Sequence, residues 1–379
     1  MEFGSQHIWM KEDPLDELRA ERGALVAAGR TFIDLSMINS DLPPPRLLLD
    51  RLMEASAKSD NHRYAVSRGV RKLREGFATK YRNRFGVNLD PEGEVCVTMG
   101  TKDALSNALQ VLCAPGDGVL LGMPTYPAHL SAVRLARLTP SFFLLQQNEE
   151  AMLQDIVQSL RKGTIKLVLL NFPNNPTGIS VSMQFYKELL KLTSAEGVFV
   201  INDFAYGEMS FSGNPPSILA ASTTRVLVAE TYSLSKGYNV PGWRVGALLG
   251  SHEAIRNVAR LKAFIDYGLF LPIQYAAAAA LGATEDLTGP TVRTYQQRLR
   301  LVVKQLVERG YQVEMPSAGA SLWIQIQGSQ TAKDYTLRLL REQGIILMPG
   351  ELFGREFSNH VRLAVVGSEE RLRDVVARM

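Results

Sequence analysis

Six short apolar runs punctuate the first two thirds of the chain: EVCVTM (94–99), GVLLG (118–122), IKLVLLNF (165–172), GVFVIND (197–203), RVLVAETYS (225–233) and RVGALLG (244–250). They are rich in leucine and β-branched residues and bounded by Gly, Pro or Asn, as strands covered on both faces are. Helix-like stretches lie between several of them, such as TKDALSNALQVLCA (101–114) and SMQFYKELLKLTSAEG (182–197). This alternation predicts an α/β fold with a mostly parallel sheet, in which ligands meet the carboxyl ends of the strands. The tail reads differently. TVRTYQQRLRLVVKQLVERG (291–310) has the pattern of a long amphipathic helix, and strands are expected near SLWIQIQ (321–327) and HVRLAVVG (360–367), giving a smaller α+β domain.

Composition narrows the function classes. With 379 residues, 46% of them apolar and 21% charged, the chain can bury a large core in two domains. A formal net charge of +4 without any Lys/Arg run gives no footprint for nucleic acid and leaves small anions open. Only Cys96 and Cys113 are present, which excludes a disulfide framework and a CxxC metal site and points to the cytoplasm. No apolar stretch approaches eighteen residues. The opening MEFGSQHIWMKED has no apolar signal core and its MEFGS reads as a cloning scar, so residues 1–10 are set aside.

The residues after the runs carry the chemistry. Gly100-Thr101-Lys102 opens a helix, where backbone N–H groups favour an anion, although Gly before a helix is common. NFPNNPTG (171–178) is dense in Asn and Pro, as any strand-to-turn connection can be. Asp203 and Tyr206 place an acid and a phenol at the end of a buried strand, where an aspartate needs a partner. YSLSKGYNVPGWRVG (232–246) sets Ser233, Ser235, Lys236 and Arg244 in a segment without a single carboxylate. Together these groups suit a phosphate-bearing pyridine aldehyde.

Seven motifs in this order, YAVSRGVRKLR (64–74), MGTKDAL (99–105), PTYPAH (124–129), NFPNNPTG, NDFAYGE (202–208), SLSKGYNVPGWRVG and HVRLAVVG, make the chain resemble the class I/II aminotransferases of pyridoxal-phosphate fold type I, from about Ile33 to the carboxyl terminus. PTYPAH, GWRVG and FIDYGLFLPIQ (264–274) are most similar to alanine (glutamate–pyruvate) aminotransferases and their methionine and diaminopimelate relatives. The resemblance implies a seven-stranded sheet in a cofactor-binding domain over 46–284, a small domain over 285–379, and an N-terminal segment, 1–45, that joins the small domain.

It also implies roles. Lys236 would form the Schiff base with pyridoxal 5'-phosphate and act as the base at the substrate's α-carbon. Asp203 would pair with the protonated pyridine nitrogen, while Asn175 and Tyr206 would donate to the phenolic oxygen and Tyr126 would lie against the ring. Ser233, Ser235, Arg244 and Gly100-Thr101-Lys102 would hold the phosphate. Tyr64 would reach the phosphate of a neighbouring subunit, which makes the expected active unit a homodimer. Arg362 would grip the substrate's α-carboxylate with its planar fork. No metal is implied.

Two departures bear on the substrate. Ile38 stands where relatives usually have glycine, near the substrate carboxylate, and segment 11–33 lacks their aromatic, proline-rich lead. Phe270 and Leu271 follow a stretch that approaches the substrate in relatives, and no arginine occurs among residues 263–275, so a small or moderately apolar amino acid is expected. The expected reaction is transfer of an amino group between an α-amino acid and a 2-oxo acid. β-Elimination, decarboxylation or oxidation on the same cofactor is the alternative. A non-catalytic regulator is disfavoured, because no helix-turn-helix segment fits before residue 33.

Overall fold

The computed structural model describes residues 15–379, so the segment set aside at the amino terminus, and residues 11–14 of the departing lead, lie outside the described residues. Two compact units emerge: a larger one of Asn39–Gln296 with Pro316–Gly319, and a smaller one of the described residues up to Ile38 with Gln297–Met315 and Ala320–Met379.

After a two-residue strand β1 (Ile33–Asp34), the larger unit carries β2 (Val95–Thr98), β3 (Gly118–Met123), β4 (Thr139–Leu144), β5 (Ile165–Leu170), β6 (Phe199–Asp203), β7 (Val228–Ser233) and β8 (Gly246–Gly250). They form one seven-stranded sheet in the order β2-β8-β7-β6-β5-β3-β4, and β8 alone runs against its neighbours. The uninterrupted apolar runs have their cause in the two-residue period of a strand. Leu167, Leu169 and Ile201 point into one core layer with Leu105 and Leu109 of the Thr101–Leu112 helix. Val168, Leu170 and Val200 point into the other, with Phe77, Tyr81 and Leu189. Fully burying each such side chain contributes about 1.5–3 kcal/mol.

β4 is the strand that none of the six runs contains. It is one edge of the sheet, with Phe142 and Leu144 exposed and Phe143 buried, and its Pro140 is tolerated because an edge leaves backbone donors unused. The crossover helices start where short polar residues cap them: Asn148 Oδ1 accepts from Ala151 N at 3.1 Å and Ser182 Oγ accepts from Phe185 N at 3.1 Å. The parallel strands place the carboxyl ends of β3, β5, β6 and β7 along one edge of the sheet.

In the smaller unit, β9 (Ser321–Gln325), β11 (Met348–Pro349) and β12 (His360–Ala364) pair antiparallel in the order β11-β12-β9, while β10 (Ile345–Ile346) pairs parallel with β1. Leu18 of the Asp16–Ala27 helix packs with Leu337, Leu340 and Ile346. The long helix Gly289–Glu308 begins in the larger unit and ends in the smaller one. Among the described residues no helix is long and apolar enough to cross a membrane.

Candidate active site

Thr98, Gly246 and Ser233 form one row across β2, β8 and β7, and Asp203 and Thr231 pair across β6 and β7. The register therefore gathers residues far apart in sequence. After β2, Gly100 adopts φ 78° and ψ −179°, a conformation essentially reserved for glycine, and the helix from Thr101 begins. A Cβ at Gly100 would stand 2.5 Å from Arg244 Nη2. Arg244, itself in the left-handed region at φ 56°, donates from Nη2 to Met99 O at 3.2 Å and from Nη1 to Pro241 O at 2.9 Å. Ser233 Oγ donates to Ser235 Oγ at 2.9 Å and accepts from Ser235 N at 3.1 Å. Lys102 Nζ lies 5.8 Å from the centre of the Tyr126 ring. The helix's first-turn acid, Asp103, is drawn elsewhere: it accepts from Met99 N at 2.9 Å and from the buried Lys262 Nζ at 3.1 Å.

Asp203 is buried at 3% exposure and its carboxylate is well partnered. Oδ1 accepts from Thr231 Oγ1 at 2.9 Å and from Ala205 N at 3.2 Å. Oδ2 faces His129 Nε2 at 2.8 Å, which selects the tautomer with hydrogen on that nitrogen. His129 was not among the sequence candidates, although PTYPAH contains it. Its signal was the spacing: Tyr126 and His129 are three residues apart at a helix start, and their rings meet edge to face at 5.4 Å. Asn171 Nδ2 donates to Asp203 O at 2.8 Å, and Asn171 Oδ1 accepts from Asn175 N at 3.0 Å. Asn175 and Tyr206 are buried, and Lys236 is half-buried in the turn after β7.

Of the three further predicted residues, Tyr64 is exposed, with its ring 4.8 Å from that of Tyr267. Ile38 and Arg362 belong to the smaller unit. There Ile38 is buried, and Arg362 is buried on β12, donating to Ser36 O with its guanidinium 5.2 Å from the Phe353 ring centre.

The larger unit's residues fit the pyridoxal phosphate that the motifs imply. Asp203 Oδ2 takes one donor and keeps a lone-pair direction for a protonated ring nitrogen. The glycine-lined helix start, the paired serine hydroxyls and the Arg244 guanidinium present donors for a phosphate.

Comparison with known proteins agrees. The family model described as aminotransferase class I and II matches residues 30–379. The glutamate-pyruvate aminotransferase AlaC of Escherichia coli is 32% identical over 92% of this chain and 86% of its own length. The LL-diaminopimelate aminotransferase of Natranaerobius thermophilus is 32% identical over 93% of this chain and 92% of its own. The solved apo structure of BacF from Bacillus subtilis superposes with a TM-score of 0.93 at 32% identity, covering 100% of this chain and 98% of that one. With the geometry and these matches in agreement, the chain belongs to the class I and II aminotransferases, pyridoxal-phosphate enzymes of fold type I that move amino groups between small amino and oxo acids.

Proposed function

We propose that the larger unit binds pyridoxal phosphate through the residues gathered at its strand ends, and that the enzyme transaminates small or moderately apolar α-amino acids. The observation that carries the site assignment is Asp203, a buried carboxylate with one lone-pair direction left open beside the Asn171–Asn175 turn. When bound, the cofactor supplies an electron sink for the pair released when a bond to the substrate's α-carbon breaks. The chain's own residues do the rest. Lys236 Nζ takes and returns the α proton. Asp203 is held in place by His129, Thr231 and the Ala205 N–H. Asn175 and Tyr206 would orient the ring's oxygen, Tyr126 would cover its face, and Ser233, Ser235, Arg244 and the Gly100-Thr101-Lys102 helix start would hold the phosphate. Arg362 takes the α-carboxylate shared by all amino acids, with Ile38 narrowing the backbone on its side.

The side-chain preference rests on residues 263–275. They contain no arginine, and the adjacent Lys262 Nζ is already held by Asp266 at 2.7 Å and Asp103 at 3.1 Å, so a second substrate carboxylate finds no partner in this stretch. Alanine, aspartate, arginine and diaminopimelate supplied at equal concentration, each with a 2-oxo acid acceptor, test it. Alanine should show the highest kcat/KM, and aspartate or arginine in first place would remove the apolar reading.

We place this chemistry in a cytoplasmic homodimer, with Tyr64 serving the neighbour's phosphate. Tyr64 (86% exposed), Phe264 (91%) and Tyr267 (63%) leave aromatic surface open in the larger unit, more than solitary apolar residues explain. Sedimentation should give twice the chain mass, and Phe264→Glu should shift it toward monomer.

A further inference from the structure

Glu230 is fully buried on β7, three residues before Ser233, and has no role in the chemistry above. Its carboxylate accepts four hydrogen bonds. Oε1 takes Tyr81 Oη at 2.9 Å and Ser217 Oγ at 2.6 Å, and Oε2 takes Asn202 Nδ2 at 3.1 Å and Ile218 N at 3.1 Å. Asn202 in turn brackets one residue of the neighbouring turn: its Oδ1 accepts from Phe172 N at 2.9 Å and its Nδ2 donates to Phe172 O at 3.1 Å. On either side of these two residues stand Asn171, bonded to Asp203 O and Asn175 N, and Asp203 itself.

The arrangement works in only one sense. If the Asn202 amide flipped, its oxygen would face the carboxylate and the Phe172 carbonyl, and all three bonds would be lost. Glu230 therefore reinforces the orientation that the Phe172 N–H and C=O also require, the one that ties β6 to the turn after β5. We propose that Glu230 is a positioning residue for the transamination, setting through Asn202 where Asp203 and the Asn171–Asn175 turn stand. The proposal rests on the assignment of Asp203 and Asn175 to the cofactor.

Ionisation of Glu230 is separable from this role. The ionisable groups beside it are Tyr81 from the Arg71–Phe85 helix and Tyr186 from the Met183–Ala195 helix, and Glu208, which acts on Tyr81, is itself paired with Lys80 and Arg84 of that first helix. Burial pushes the carboxyl up to about 7 from 4.5, against the pull of its four donors. The proton must sit on Oε1, because the Asn202 amide and the Ile218 N–H on Oε2 can only donate, whereas the Tyr81 and Ser217 hydroxyls can turn and accept. Asn202 thus stays held in both states. Between pH 4.5 and about 7 the folded chain binds more protons than the unfolded one, so stability falls as pH rises through that window.

The test compares Glu230→Gln, Glu230→Leu, Asn202→Ala and Asp203→Ala in the full chain, with and without pyridoxal phosphate. Glu230→Gln keeps its oxygen toward Asn202 and its NH2 toward the two hydroxyls, so kcat and cofactor affinity should stay within about threefold of the parent. Its Tm advantage over the parent should grow from pH 4.5 to about 7, and an advantage that stays flat there overturns the ionisation assigned to Glu230. Glu230→Leu should lower kcat on the order of tenfold or more, with little change in substrate KM and a shifted absorption band of the bound cofactor. Asn202→Ala should do the same if Glu230→Leu fails to fold. Parent-like kcat and spectrum in a folded Glu230→Leu or Asn202→Ala variant overturn the proposal, as does a Glu230→Gln variant as impaired as Glu230→Leu. Parent-like turnover in Asp203→Ala sinks the site assignment instead.

Discussion

On the proposed reading, the larger unit would meet an anion with many partial donors, whereas the smaller unit would set a single full charge against one. The phosphate side of the cradle combines a helix start, two serine hydroxyls and an arginine tied to two backbone carbonyls. Arg362, by contrast, is one buried guanidinium braced by the Ser36 carbonyl and the Phe353 ring. The first design spreads its free energy over several weak contacts, so losing one is tolerable. The second would concentrate recognition in one planar fork, which gives geometric selectivity for a carboxylate.

The largest effect should come from the one position in the larger unit that has no substitute. Lys236→Ala should still bind pyridoxal phosphate through the distributed contacts, while turnover falls on the order of 10^4-fold or more in single-turnover assays. Cofactor affinity that collapsed together with turnover would show that binding is not distributed as described. Arg362→Lys keeps the charge but removes the fork, and kcat/KM should fall by at least about 2 kcal/mol, appearing mainly as a raised substrate KM. Cofactor affinity measured by fluorescence quenching should not move, and a parallel loss of cofactor would break the division of labour. The smallest effect is expected at Gly100. Gly100→Ala strains a glycine-only conformation and presses on Arg244, costing about 1–3 kcal/mol, which a titration should show as weaker cofactor binding with kcat at saturation near the parent's. A Gly100→Ala variant with no cofactor binding at all would make the cradle as concentrated as Arg362.

Much of this was legible in the chain because strand ends announce themselves. The six buried runs became β2, β3, β5, β6, β7 and β8, since a strand covered on both faces must be apolar throughout. β4 escaped because an edge strand is covered on one side and its alternation of Phe142, Phe143 and Leu144 resembles a loop with scattered apolar residues. The motifs placed Lys236, Asp203 and Arg244 in one chemistry, yet they did not single out His129, whose meaning depends on a carboxylate 74 positions away. Glu230 was equally silent: within RVLVAETYS it reads as a charge interrupting an apolar run, and only packing reveals four donors converging on it.

Local physics is encoded in neighbouring residues, so the sequence by itself determined the alternation of strands and helices and the reactive segment around Lys236. The seven motifs, taken in order, were enough to indicate the cofactor. Tertiary structure alone decided which strand ends lie side by side, which nitrogen of His129 faces Asp203, and that Asn202 is held in one orientation by a carboxylate from the next strand. Those choices depend on register and burial, which arise only when segments distant in the chain exclude water from one another and leave each polar group to find its partner.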